Sequence, residues 1–260
     1  MDAELYLDLN TFMHRLDPRT KMALFVLVFV AVLQFSDPLW MAPAFGLVLL
    51  QIVVSQAWRN LGRVRHVLIV LSISSIVIWN FFVSGRTPLF WVVTLEALQY
   101  GISRTLLILS AILMGMVMIS TTRNEALVLG MIRIGLPYRV GFAVSTALRL
   151  VPTIAASAET IGQAQRSRGL DLDHGSLLHR LRQYVPLLIP VFISTIRYAN
   201  VLGMSLESKG FGAREQRTFY LQLHMGTADY VVLTFFVAFA LASIYLHVLG
   251  YGQIGGLVQF

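Results

Sequence analysis

Five stretches of this chain, residues 22–35, 39–57, 67–83, 94–120 and 230–249, are long, apolar and nearly without charge. Few folds can absorb them. A helix needs about 20 apolar residues to cross the hydrocarbon core of a bilayer. Only helices and closed barrels satisfy their backbone groups there. The rest of the composition agrees: 57% of residues are hydrophobic and 13% charged, with a mean hydropathy of +0.72, where a soluble domain carries about 25% charged residues. The expectation is an all-α polytopic membrane protein. Met1 to Asn10 is polar and acidic, not the basic-then-apolar pattern of a cleavable signal.

The net charge of +7 is almost all arginine, because lysine occurs only at Lys21 and Lys209. Nucleic acid is the generic partner of a basic chain, but cytoplasmic loops alone give a membrane protein the same balance. No nucleic-acid partner is expected. Arg15, Arg19, Lys21, Arg59, Arg63, Arg65 and the block from Arg123 to Arg217 fall on one side of the apolar stretches, and Arg86 on the other. The excess of cations on cytoplasmic loops then places the N-terminus in the cytoplasm and gives five spans, four plus one.

Three regions follow: residues 1–121 with four spans, 122–227 as a cytoplasmic three-helix domain, and 228–260 with the last span and tail. Local signals fill in the pattern. Asp17-Pro18 and Asp37-Pro38 each read as a helix cap followed by proline. Residues 58–66 read as a basic loop, and Arg104 as an arginine that snorkels to the interface. Thr122-Arg123-Asn124-Glu125 is a capping-box pattern. Two long helices follow, residues 138–168 with Pro152 inside and 176–209 with Pro186 and Pro190 inside. Arg149 and Glu159 are expected to make internal polar contacts.

The helical block ends twice in the same way. Arg166-Ser167-Arg168-Gly169 closes the first long helix, and Glu207-Ser208-Lys209-Gly210 the second. Taken singly, each is an ordinary C-cap, since glycine past a helix end takes the left-handed conformation freely and a cation there complements the helix dipole. No G-x-x-x-x-G-K-[ST] loop, metal-ligand spacing or nucleophile elbow occurs. No catalytic, cofactor or metal site is expected, so work against a gradient needs an energy source on another polypeptide.

The ordered set His14-Arg15-Leu16-Asp17-Pro18-Arg19-Thr20-Lys21, Thr121-Thr122, Gly135-Leu136-Pro137, residues 147–152 (ALRLVP), Glu159, residues 164–169 (AQRSRG) and residues 207–211 (ESKGF) resembles the T component of energy-coupling-factor (ECF) transporters, the CbiQ/EcfT family. The likeness covers nearly the whole chain. It implies a bacterial plasma-membrane scaffold of four spans, a coupling domain and a final span. It also implies that two Ala-Arg-Gly-like helix ends dock on two cytoplasmic ATP-binding subunits, and that a separate membrane S component binds the vitamin or metal ion. Carried onto this chain, the docking residues are Ser167, Arg168, Gly169, Ser208, Lys209 and Gly210, supported by Arg166, Glu207 and Arg214. Serine stands for alanine in both motifs. Lysine stands for arginine in the second, and its point charge lacks the rigid fork of a guanidinium, so a weaker contact, or one helped by Arg214, is expected there. The competing reading is a self-contained carrier or channel, which calls for broken or polar spans or inverted repeats.

Overall fold

A computed structural model describes residues 6–83, 87–90, 93–170, 177–213 and 223–254, with the backbone alone at 88–90, 93 and 177–181. The chain forms two compact units, Met1–Leu136 with Leu223–Phe260, and Pro137–Gln222. In the first, the described elements are α1 (Phe12–Arg15), α2 (Pro18–Leu33), α3 (Pro38–Ser55), α4 (Trp58–Phe82), a short antiparallel pair β1 (Pro88–Phe90) and β2 (Val93–Thr94), α5 (Leu95–Thr121), α6 (Asn124–Ile134) and α9 (Thr227–Val248). The second holds α7 (Tyr138–Ser167) and α8 (Leu177–Ser208).

The helix starts follow their local chemistry. Asp17 Oδ1 accepts from Arg19 N at 2.9 Å and Asp37 Oδ1 from Leu39 N at 2.9 Å, each before a proline at the first helical position. The core lies where α2, α3, α5 and α9 meet, around Leu24, Val28, Val32, Met41, Val48, Met114, Val117 and Phe236. At one edge, α6 lies on α2 so closely that a Cβ on Gly130 would sit 2.8 Å from Met22 Cε and 3.2 Å from Pro18 Cβ. At the other end of α2, Gly252 O accepts from Ser36 N at 2.9 Å and Asp37 N at 3.1 Å, drawing the residues after α9 onto the α2–α3 turn.

The chain is an all-α polytopic membrane protein. Six described helices are long and apolar enough to cross a bilayer: α3, α4, α5, α7, α8 from Val185, and α9. This differs from five spans in two ways. The helix α2, with 16 residues, reaches only about 24 Å at 1.5 Å per residue. The stretch of residues 22–35 runs past its end, through the polar Gln34 to Phe35. The helices α7 and α8 meet the criteria of length and composition although the sequence reading gave them to a cytoplasmic domain.

Two local expectations are corrected. Residues 58–66 are the first turns of α4, because Gln56 alone makes the reversal, in the left-handed conformation at φ +56°. The N-cap of α6 is Arg123, with no side-chain cap bond, because the Thr122 hydroxyl accepts instead from Lys21 Nζ at 3.3 Å. The helix α6 packs on α2, and the second compact unit starts at Pro137.

Candidate partner-docking site

Within the second unit, α7 and α8 run antiparallel. Gln165 Nε2, near the end of α7, donates to Pro186 O near the start of α8 at 3.0 Å. Phe211, just past the end of α8, lies 4.4 Å between ring centroids from Phe142 and 6.4 Å from Tyr138, both near the start of α7. A Cβ on Gly162 would meet Leu187 Cδ1 in ordinary contact. The two glycine-closed ends therefore lie at opposite ends of one helical pair. The 30 residues of α7 set a separation of about 45 Å.

Both ends are built alike. In the first, Leu170 N donates to Gln165 O and Gly169 N to Arg166 O, each at 3.0 Å. In the second, Phe211 N donates to Leu206 O and Gly210 N to Glu207 O, each at 2.9 Å. These are paired 6→1 and 5→2 bonds, the Schellman arrangement, and it needs a positive φ at its last turn. Gly169 supplies φ +91° and Gly210 φ +73°.

The serines that replace alanine fold back on their own helices, Ser167 Oγ donating to Gln163 O at 3.1 Å and Ser208 Oγ to Ser205 O at 3.0 Å. With their hydroxyls used inside the helix, they present little more than a small residue would. Arg166, Ser167, Arg168, Gly169, Glu207, Ser208, Lys209 and Gly210 are all exposed. The arrangement is two separate, preformed, cation-tipped knobs. Arg214 lies outside the described residues, as does the polar turn of residues 171–175.

The apolar face of α8 is uncovered within the chain. Leu188, Ile189, Phe192, Ile193 and Ile196 are exposed, and no described residue of α8 from Arg182 onward is buried. Arg149 and Glu159, expected to meet internally, make no ion pair among the described residues. Ten positions along one helix separate them by about 15 Å. Arg104, expected to snorkel, lies over the Tyr100 ring at 4.5 Å, whose face attracts its charge.

The first unit contains a polar knot that holds the frame. Asp229, 3% exposed, accepts from Asp17 N at 2.8 Å through Oδ1 and from Gly226 N at 2.9 Å through Oδ2. Lys21 Nζ donates to Thr121 O at 2.9 Å. Asn60 Nδ2 donates to Ser120 Oγ at 2.8 Å. Asp17-Pro18-Arg19-Thr20-Lys21 thus joins the starts of α2 and α9 to the end of α5, a structural and not a chemical role. His14 Nε2 faces Leu7 O at 2.8 Å, and a carbonyl can only accept, so the proton sits on Nε2. Nδ1 faces Thr11 Oγ1 at 2.6 Å. Burial holds the His14 imidazole below its usual range, helped by the charge of Lys21 and opposed by the bond to Leu7.

Sequence reasoning passed over Asp229 and the rings of Tyr138 and Phe142. Gly226-x-x-Asp229 at the head of an apolar run is a capping pattern that points to the first, but nothing local shows its bond to Asp17. Among the described residues no group of three or more His, Asp or Glu side chains is placed to hold a metal ion.

The CbiQ family model, described as cobalt transport protein, matches residues 10–220. The chain is 30% identical over 253 residues to the energy-coupling factor transporter transmembrane protein EcfT of Thermosediminibacter oceani, covering 92% of this chain and 94% of that one. It is 28% identical over 271 residues to EcfT of Staphylococcus aureus, covering 91% and 93%. With EcfT of Heliobacterium modesticaldum the identity is 32% over 248 residues, covering 87% and 90%. The polar knot, the antiparallel helix pair and its two capped cationic ends are thus features of a chain that belongs to the CbiQ/EcfT family of energy-coupling-factor transporter transmembrane proteins.

Proposed function

We propose that this chain is the coupling subunit of a bacterial ECF-type transporter. It transmits the ATP-driven motion of two cytoplasmic ATP-binding subunits to a separate membrane S component that binds the vitamin or metal ion taken up. The observation that carries the reading is the pair of matching, exposed, cation-tipped caps at opposite ends of α7 and α8. Two knobs about 45 Å apart suit two partner subunits rather than one. Arg168 engages an acidic groove with a rigid guanidinium fork. Lys209 does so as a point charge, assisted by Arg214. Closure of the ATP-binding subunits moves the knobs, and the helices slide as levers that bend at Pro152, Pro186 and Pro190. In this reading α7 and α8 lie along the cytoplasmic membrane surface, because Arg139, Arg149, Glu159 and Arg166 punctuate one and Arg182, Arg197 and Glu207 the other. The N-terminus and both knobs are cytoplasmic.

The chain has no cysteine, so single cysteines can be placed without background. Ser167→Cys and Ser208→Cys should react with a membrane-impermeant maleimide from the cytoplasmic side, and the two ATP-binding subunits should protect both. Reaction only from the outer side, or no protection in the assembled complex, would reject the docking assignment. Substrate transport by the purified chain alone in liposomes would favour a self-contained carrier instead.

A further inference from the structure

We propose that the gap between α1, α2, α3 and α5 is a binding site for a single water molecule, held by the Gln51 amide, the Lys21 ammonium and the Thr121 hydroxyl. Gln51 lies on α3 and is 2% exposed, yet neither its Nε2 nor its Oε1 has a protein hydrogen-bond partner. Buried amides are almost always satisfied, by protein or by ordered water. Gln51 lines a cavity of about 10 Å³ that it shares with Lys21, Thr121, Met13, Met114 and Met118. That is room for one water and nothing larger.

The chemistry of the walls selects the occupant. Gln51 offers one acceptor oxygen and a two-hydrogen donor. Thr121 Oγ1 donates to Val117 O at 2.8 Å and keeps lone pairs to accept with. Lys21 Nζ is held by Thr121 O at 2.9 Å and Thr122 Oγ1 at 3.3 Å, but its contact to His14 O is 3.5 Å. That third hydrogen is the one a closer acceptor captures. A water donating to Gln51 Oε1 and Thr121 Oγ1 while accepting from Lys21 Nζ meets the two to four partners a buried water needs; it satisfies the amide oxygen and leaves Gln51 Nε2 as the one orphan of the pair. The ammonium repels a cation, and the volume excludes a polyatomic anion. The site is therefore a hydration site. It joins α3 to the polar knot at the start of α2 and the end of α5, through a contact that direct side-chain bonds do not make.

Radiolytic hydroxyl-radical labelling of the full chain in detergent tests this, because bound water generates radical beside whatever side chains it touches. Met114 lines the cavity at 4% exposure, whereas Met116, at 6%, does not. Met114 should be oxidised several-fold faster than Met116, and Gln51→Leu should erase the difference. Equal rates in the parent chain would overturn the proposal without recourse to any variant. A several-fold difference that survives in a folded Gln51→Leu chain would overturn it as well.

Discussion

Replacing Asp229 with alanine should be the most damaging single change in the membrane-helix unit. Its carboxylate is buried and accepts two backbone N–H groups, Asp17 N at 2.8 Å and Gly226 N at 2.9 Å. The first bond spans 212 positions of sequence and fixes the start of the last span against the start of the first helix of the bundle. Hydrogen bonds to a charged group contribute about 1.5–3 kcal/mol each, so losing both costs about 3–6 kcal/mol. The loss also leaves the buried Asp17 N–H without an acceptor. Asparagine keeps one acceptor oxygen, so Asp229→Asn should cost about half as much. At about 2–4 °C per kcal/mol for a chain of this size, the alanine variant should melt at least about 6 °C lower. The assay is thermal unfolding of the purified chain in detergent, with the asparagine variant between alanine and parent. A melting temperature within about 1 °C of the parent for Asp229→Ala would refute the claim that this knot holds the frame.

Two further outcomes follow from contacts in the same unit. The folded state holds His14 below its ordinary pKa, chiefly through burial, so the unfolded chain takes up its proton first as pH falls. The stability from this site is whole above about pH 6.5 and is lost as pH drops from there through the folded value. Melting curves between pH 8 and 5 should show a fall in that window that is smaller in His14→Gln. In α6, a Cβ at position 130 already meets the flexible end of Met22 at 2.8 Å and Pro18 Cβ at 3.2 Å, so Gly130→Ala should lower the melting temperature slightly. Gly130→Leu must displace Pro18 further and should cost about 1–3 kcal/mol, read as a lower melting temperature still.

Much of this architecture is written in local chemistry. Asp17-Pro18 and Asp37-Pro38 announced their helices because a capping carboxylate and a proline act on the next few residues only. The ends at Gly169 and Gly210 were legible for the same reason: a positive φ after a helix is a demand on one residue. What local chemistry could not reveal was competition between distant groups. Thr122 looked like a cap for α6, but Lys21, 101 positions earlier, takes its hydroxyl. Residues 58–66 looked like a loop because they are basic, but the turn needs only Gln56, so the arginines are carried on helix. The antiparallel course of α7 and α8, which separates the two knobs, rests on the Phe142–Phe211 and Gln165–Pro186 contacts, and no periodicity in either helix encodes them. Arg168 and Lys209 were nameable from sequence as cations at helix ends. Their equivalence as paired Schellman caps, and the inward-folded serines beside them, rest on backbone and hydroxyl hydrogen bonds that residue identity alone does not specify.

The central claim is that the α7 end at Arg168 carries force from an ATP-binding subunit into this chain. ATP-driven substrate uptake by the reconstituted complex tests it most directly, with Arg168→Glu compared against the parent at equal membrane content of the chain. The account predicts that uptake is abolished while the variant still inserts in the membrane and melts like the parent. Uptake at the parent's rate in that variant would contradict it.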